Sequence, residues 1–163
     1  MSIAICPGSF DPITMGHLDI IRRTAKLFDS VVVCIMYNSS KTAPMFSVDE
    51  RADMVRRTVK DLPNVRVDTS AGLLAEYARQ YEGAVVVKGL RAASDFEYEF
   101  QMNLINKKIN PELETMFLTA SEKYTFLSSS VVREMARYGA ELGGLVPDGI
   151  IEDVEKKAQT WRC

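Results

Sequence analysis

The stretch SFDPITMGH, Ser9 to His17, decides the fold, because it joins a short apolar run at residues 3–6 to an amphipathic segment that begins near Gly16. Pro7, Gly8 and Pro12 favour a tight turn between the two. A strand that turns into a helix brings free backbone N–H groups and the positive end of the helix dipole to one place. Phosphate groups bind at helix N-termini of this kind.

His17 is the only histidine of the chain and lies at the predicted helix start. Gly16 has no side chain, so a ligand's phosphates can approach the backbone there. His17 can donate a hydrogen bond, or the charge of a bound proton, to a phosphoryl oxygen. The alternative is an ordinary strand-to-helix turn with a partly buried histidine. The helix start, the glycine and a matching set of residues further along the chain favour the phosphate site.

Apolar runs alternate with amphipathic segments along the chain, which predicts an α/β fold. The run at residues 30–37 is continuous and β-branched, as is typical of a strand covered on both faces of a parallel sheet. Ser47 with Glu50, and Ser94 with Glu97, have the spacing of capping boxes at helix starts. Predicted strands are residues 3–6, 30–37, 65–68, 84–87 and 114–119, and predicted helices begin near residues 16, 47, 72, 94, 128 and 147. We expect a Rossmann-like, doubly wound, five-stranded parallel sheet with helices on both faces.

Composition excludes several classes of protein. The chain has no internal repeat, low-complexity tract or linker, which predicts one domain over residues 1–163. The formal net charge of −2, without a basic run, argues against nucleic acid as the main partner. We see no signal peptide, and no stretch approaches the roughly 20 apolar residues of a membrane helix.

The cysteines and the lone histidine bear on compartment and metal content. Cys6, Cys34 and Cys163 are odd in number and widely spaced, which suits a reducing cytoplasm, with the first two buried in strands. One histidine and no CxxC give no credible zinc site, and we expect no metal held by the protein alone.

Polar segments that could bind phosphate follow several predicted strands. Lys41 follows the second strand, residues 88–91 (KGLR) follow the fourth, and residues 124–130, which end in three serines at a helix start, follow the fifth. Because the carboxyl ends of parallel strands meet at one edge of the sheet, we expect these segments to converge on residues 9–17. Taken singly, each has a simpler explanation: solvated cations, an exposed helix face for Glu99, or a plain N-cap.

Two helix N-termini, a histidine, two or three cations and no obvious nucleophile favour positioning and charge stabilisation at a phosphoryl centre. Arg91 can clamp phosphate oxygens in bidentate fashion, and Lys88 can act as a point charge. The first loop lacks both GxGxxG and GxxxxGK[ST], which disfavours a nicotinamide dehydrogenase and a P-loop NTPase.

Residues 14–17 (TMGH) resemble the (H/T)xGH signature of the nucleotidyltransferase superfamily. Residues 126–130 (FLSSS) with Arg133 resemble its second signature. Residues 7–12 (PGSFDP), 89–91 (GLR), 95–99 (DFEYE) and 111–114 (PELE) resemble segments of the bacterial phosphopantetheine adenylyltransferases in particular. The resemblance runs from about residue 3 to residue 147, which is nearly the whole chain.

The resemblance implies transfer of AMP from ATP to 4′-phosphopantetheine, giving dephospho-coenzyme A and pyrophosphate in the penultimate step of coenzyme A biosynthesis. It also implies Mg²⁺ with ATP, a homohexamer and a cytoplasmic location. His17 would stabilise the transition state, with Lys41 and Arg91 as further catalytic groups. Phosphopantetheine would contact Ser9, Lys41, Leu74 and Lys88. The residues that would contact ATP are Ser9, Phe10, His17, Gly89, Leu90, Arg91, Glu99, Tyr124, Thr125, Phe126, Leu127, Ser128, Ser129 and Ser130.

Two other functions are open at this point. One is a sister enzyme with another acceptor, such as a nicotinate mononucleotide adenylyltransferase or a glycerol-phosphate cytidylyltransferase; Thr14 and the DFEYE segment argue against it. The other is a nucleotide-binding module that no longer turns over. Within the family pattern, Lys88 stands where many relatives carry arginine, and lysine keeps the charge without the planar fork. The loop before Met45 is about one residue longer than in some relatives, which bears on the placement of Lys41.

Overall fold

The computed structural model describes residues 1–37 and 43–161. Its five strands are β1 (Ile3–Gly8), β2 (Ser30–Met36), β3 (Val65–Ser70), β4 (Val85–Leu90) and β5 (Glu114–Thr119). They form one sheet in the order β3-β2-β1-β4-β5, and every neighbouring pair is parallel. The predicted doubly wound parallel sheet is confirmed, and the strand order reverses between β1 and β4, where open α/β sheets bind ligands.

Helices pack on both faces of this sheet, as predicted. They are α1 (Met15–Leu27), α2 (Val48–Val59), α3 (Leu74–Ala78), α4 (Ala93–Ile109), α5 (Ser129–Arg137) and α6 (Ile151–Thr160). Alternate residues of a strand point to opposite faces. Ala4 therefore joins a core with α1, α2, α5 and α6. Ile5 and Val32 join a second core with α3 and the end of α4.

Strands β1 and β4 extend further than the sequence predicts. β1 continues to Gly8, which pairs with Ile35, and β4 continues to Leu90. Pairing with β5 keeps residues 88–90 extended, so the predicted loop after the fourth strand begins only at Arg91. This length depends on the partner strand, and the polar composition of residues 88–90 does not reveal it.

Of the predicted N-terminal caps, those at Ser47 and Ser128 are confirmed and that at Ser94 is wrong. Ser47 and Glu50 form the predicted capping box, and the Ser128 hydroxyl caps α5 by accepting from Val131 N. The predicted box at Ser94 and Glu97 is wrong, because α4 begins after Ala92 without a side-chain cap. The helix predicted over residues 72–81 shrinks to the five residues of α3.

The two cysteines that the sequence predicts to be buried in strands are buried there. Cys6 and Cys34 are buried free thiols in β1 and β2. Burial raises the pKa of the Cys6 thiol to about 12 and that of Cys34 to about 11, so both are neutral at pH 7. Cys163 lies outside the described residues. Within the described ranges, no helix combines the length and apolar content that a membrane span needs.

At Gly89, α1 packs closely against β4. A Cβ atom added there would lie 2.9 Å from Ile20 Cγ1. We expect Gly89→Ala to lower the free energy of unfolding by about 1–3 kcal/mol, since overpacking forces side chains or backbone to shift. Urea unfolding would measure this. Gly149→Ala is the matched control, because its Cβ would meet no atom within 4 Å. Equal losses for the two variants would contradict the packing argument.

Candidate active site

The loops after β1, β4 and β5 meet at the carboxyl edge of the sheet. Ser129 Oγ donates to Pro12 O at 2.8 Å, which joins the start of α5 to the loop after β1. Arg91 Nη1 donates to Leu127 O at 2.9 Å, which joins the end of β4 to the segment before α5. Three of the four segments predicted to converge are therefore linked by hydrogen bonds, and the fourth, at Lys41, lies outside the described residues.

Thr14 and His17 form a capping box that fixes the histidine ring. Thr14 Oγ1 accepts from His17 N at 3.3 Å, and Thr14 N donates to His17 Nδ1 at 3.0 Å. A backbone N–H can only donate, so Nδ1 must carry a lone pair and the ring proton resides on Nε2. The arrangement makes His17 an uncharged hydrogen-bond donor through the nitrogen opposite the cap.

Phe10 buttresses the same ring from the loop. Its side chain is buried and packs edge-on against His17, with ring centroids 5.0 Å apart. Phe10 has a φ of 49°, in the left-handed region that favours glycine. Gly8 leaves room for the Phe10 ring, because a Cβ at Gly8 would lie 3.0 Å from Phe10 Cε2.

The carboxylate of Asp11 ties this loop to the segment before α2. It is buried and accepts hydrogen bonds from Met45 N at 3.0 Å and Phe46 N at 2.8 Å. Two backbone donors satisfy the charged oxygens and hold residues 45–47 against the loop. Sequence reasoning assigned no role to Asp11, since its partners are backbone groups 34 and 35 residues away.

Two arginines donate to backbone carbonyls of the loop. Arg133 Nη1 donates to Asp11 O at 2.7 Å, and its Nη2 donates to Ser130 Oγ at 3.2 Å. Arg51 Nη1 donates to Ser9 O at 2.8 Å. The sequence suggested Arg133 as part of an anion cradle but did not single out Arg51. The available signal was spacing, because Arg51 stands four and eight residues before the buried Val55 and Val59.

Several backbone donors at this edge make no hydrogen bond within the described part of the chain. They belong to the loop and to the first turns of α1 and α5: Phe10 N, Gly16 N, Ser129 N and Ser130 N. Gly16 sits close to the segment before α5, since its Cβ position is 3.6 Å from Tyr124 Cβ. Helix N-termini with unpaired N–H groups are suited to bind anions.

The two predicted cations of β4 and its following loop have acidic partners. Lys88 forms a half-buried ion pair with Glu99 of α4. Arg91 binds Asp95 through Nε at 3.0 Å and Nη2 at 3.3 Å, and Asp95 also accepts from Arg91 N. The role of Lys88 and Arg91 as phosphate ligands stays a prediction.

The remaining predicted residues are placed as follows. Leu74 begins α3 and packs against the second core, outside the network of hydrogen bonds described above. Lys41 lies outside the described residues. Phe126 is exposed while Leu127 is buried. In residues 1–37 and 43–161, no group of three His, Cys, Asp or Glu side chains is placed to hold a metal ion. Gly89 and Leu90 end β4, Tyr124 ends a 3₁₀ turn, Thr125 follows it, and Ser128, Ser129 and Ser130 open α5.

Comparison with known proteins gives a consistent family. Residues 5–135 match the cytidylyltransferase-like family. A phosphopantetheine adenylyltransferase of Dictyoglomus turgidum is 53% identical over 154 residues, which cover 94% of this chain and 96% of the relative. One from Clostridium tetani is 52% identical over 158 residues, covering 97% and 98%.

Solved structures share the fold at low identity. A structure from Vibrio parahaemolyticus, provisionally named a nicotinate-nucleotide adenylyltransferase, superposes with a TM-score of 0.68 and 19% identity, over 94% of this chain and 90% of that one. A bifunctional NMN adenylyltransferase/ADP ribose pyrophosphatase from Francisella tularensis has a TM-score of 0.70 and 15% identity, over 97% and 49%. These likenesses support the fold.

The state of the His17 ring is directly measurable, since the chain has a single histidine. We expect ¹⁵N NMR of the imidazole at pH 7 to show an unprotonated Nδ1 and a protonated Nε2, because Thr14 N–H occupies the Nδ1 lone pair. A spectrum with the proton on Nδ1 would contradict the capping geometry. Thr14→Ala should cost about 1 kcal/mol of stability by loss of the N-cap. Thr14→Ser, the control, should keep the cap.

Proposed function

The chain belongs to the phosphopantetheine adenylyltransferase family, and on that premise we propose that it transfers AMP from ATP to 4′-phosphopantetheine. The products are dephospho-coenzyme A and pyrophosphate, in coenzyme A biosynthesis. The observation that carries the assignment to this edge of the sheet is the fixed Nε2–H donor of His17 between two helix N-termini with unpaired N–H groups.

The proposed reaction is a direct displacement. A phosphate oxygen of phosphopantetheine attacks the α-phosphorus of ATP, a new P–O bond forms, and the bond to the β-phosphate breaks with pyrophosphate as the leaving group. A phosphate monoester has its second pKa near 6, so most of it is a dianion at pH 7 and needs no general base. The site fits that demand, because the chemistry calls for positioning and charge stabilisation.

His17 would act on the transition state. Negative charge builds up on the non-bridging oxygens of the α-phosphoryl group during attack, and a preorganised Nε2–H donor stabilises that charge. Thr14 and Phe10 hold the ring, so little reorganisation is needed when the substrates bind. We assign Lys41 and Arg91 as further catalytic groups on the strength of family resemblance.

The triphosphate would lie between α1 and α5. Unpaired N–H groups at Phe10, Gly16, Ser129 and Ser130 suit its oxygens, and residues 124–128 with residues 89–91 and Glu99 would enclose the rest of ATP. We propose that Mg²⁺ arrives bound to ATP phosphates, where it neutralises charge. The groups that surround this place are backbone N–H groups and serine hydroxyls, and no cluster of metal-binding side chains is present among the described residues. This fits an ion held mainly by phosphate and water.

The acceptor would bind through Ser9, Lys41, Leu74 and Lys88. Lys88 starts from an ion pair with Glu99, so a bound phosphate would compete with that carboxylate for the ammonium group. We infer that Glu99 keeps the flexible lysine directed along β4, where many relatives have the stiffer arginine.

We also propose a homohexamer, as the family resemblance implies, and the exposed side of α4 supports self-association. Phe100, Leu104 and Ile105 of this helix are exposed, as is Phe96, whose ring stacks on that of Phe100 with centroids 5.7 Å apart. Contiguous exposed apolar side chains mark contact surfaces. We further propose one domain over residues 1–163 and a cytoplasmic location, which suits the buried free thiols of Cys6 and Cys34.

The reaction itself is tested by pyrophosphate release from ATP and Mg²⁺ with phosphopantetheine, with nicotinate mononucleotide, and with neither. We expect release only with phosphopantetheine. Release only with the other acceptor would overturn the acceptor assignment, and ATP binding without release would support a non-catalytic module.

His17→Ala should lower kcat by about 10²–10³-fold, the usual loss when one transition-state donor is removed. The Kd of ATP should change far less, because the donor acts chiefly on the transition state. His17→Gln, which keeps an amide N–H donor, should retain part of the rate. A kcat unchanged in His17→Ala would exclude the proposed role.

Leu104→Glu should reduce the assembled mass measured by light scattering, because a charge placed in an apolar contact is costly to bury. Leu27→Glu is the matched control, since Leu27 is an exposed leucine at the end of α1. An unchanged mass for Leu104→Glu would show that α4 does not form the contact.

A further inference from the structure

Arg51 is a buried cation that has no acidic partner among the residues that the structure describes. The residue is 4% exposed. Among the described residues, no carboxylate lies within the 4.0 Å that defines an ion pair with its nitrogens. Removing a charge from water without a counter-charge is costly. An apolar residue at position 51 would fill this place on α2 without that cost.

Backbone oxygens hold the Arg51 guanidinium in place. Nη1 donates to Ser9 O at 2.8 Å, and Nε donates to Ser47 O at 3.3 Å. Phe46 N, just before α2, donates to the Asp11 carboxylate at 2.8 Å. Arg51 therefore spans from the first turn of α2 to the turn that follows β1, at a place where the two segments are already joined.

The charges beneath this turn do not cancel. The Asp11 carboxylate is buried, and Arg133 Nη1 lies 3.8 Å from its Oδ2. Arg51 and Arg133 together carry two positive charges against the single negative charge of Asp11. Because solvent screens buried charges only weakly, the excess positive charge raises the electrostatic potential at the surface of the turn.

The hydrogen bond from Arg51 also sets the direction of a backbone donor. The Ser9–Phe10 peptide is trans, since the cis bond of the described chain is Asp11–Pro12. In a trans peptide the C=O and N–H point in opposite directions. With Ser9 C=O directed at Arg51, Phe10 N–H points away from α2, and it makes no hydrogen bond within the described chain. The left-handed φ of Phe10 means that the turn requires such support.

We propose that Arg51 is a positioning residue for the nucleotide phosphates, acting through the Ser9–Phe10 peptide and through its uncompensated positive charge. The inference rests on the proposed function, in which Ser9 and Phe10 contact ATP. Arg51 does not touch the nucleotide. It directs Phe10 N–H towards the phosphates and favours their negative charge from behind the turn.

Arg57 provides a matched control on the same helix. It is six residues further along α2, and its guanidinium pairs with Asp53 at 2.9 Å and with Asp153 at 3.1 Å on the surface. Arg57→Met removes the same charge and the same length of side chain as Arg51→Met. The two variants differ in the contacts that they remove. Arg51→Met removes the hydrogen bond to Ser9 O, whereas Arg57→Met removes ion pairs at the surface.

The experiment compares wild type, Arg51→Met, Arg51→Gln, Arg51→Lys and Arg57→Met. Three quantities are measured for each: kcat for pyrophosphate release, Tm without ligand, and the rise in Tm on adding ATP with Mg²⁺. We expect Arg51→Met to lose about 10²-fold in kcat, as for a displaced reacting group, and most of the ATP-induced rise in Tm. Arg51→Lys should retain more of both than Arg51→Gln, and Arg57→Met should keep both.

The proposal would be overturned if Arg51→Met left both kcat and the ATP-induced rise in Tm unchanged. It would also be overturned if Arg57→Met lost as much of both as Arg51→Met. If Arg51→Met does not fold, Arg51→Gln decides, and wild-type values for Arg51→Gln would overturn the proposal. A fall in ligand-free Tm alone, with the ATP-induced rise intact, would also overturn it. Absence of turnover in wild type would contradict the proposed function instead, and the ATP-induced rise in Tm would still test the positioning of phosphates.

Discussion

The candidate site depends on how the backbone carbonyls of the loop after β1 are held. Ser9 O, Asp11 O and Pro12 O each accept a hydrogen bond from a side chain of α2 or α5. At the trans Ser9–Phe10 peptide, a carbonyl bound by Arg51 leaves the Phe10 N–H pointing in the opposite direction, where a phosphate can reach it. The sheet supplies the location, and these three hydrogen bonds give the loop a single conformation against the strain at Phe10.

The histidine is positioned by local chemistry that needs no distant partner. Thr14 and His17 are three residues apart, so the first turn of α1 closes their reciprocal cap as it forms. Long-range packing then adds Phe10, whose ring fits over Gly8 and against the imidazole. The local cap and the long-range Phe10 contact together fix the orientation of the His17 ring.

The features that sequence reasoning predicted are those fixed by neighbouring residues. The strand at residues 114–119, the Ser47–Glu50 box and the Ser128 cap depend on local pattern, and the structure confirms them. The features that it missed depend on partners far along the chain. β5 determines the length of β4, and the use of Arg51 requires knowledge of where α2 meets the loop. The pantetheine contact at Leu74 came only from family resemblance.

The locked ring of His17 has a consequence for the direction of the proposed reaction. A donor that gives a hydrogen bond without giving up its proton ends each turnover in the state in which it began. In the proposed reaction, the same Nε2–H would face the same pentacovalent phosphorus whether AMP is being attached to the acceptor or taken back by pyrophosphate. If His17 acts as proposed, it needs no reprotonation between cycles and favours neither direction of the reaction. Net flux is then left to the concentrations of the substrates and the removal of pyrophosphate.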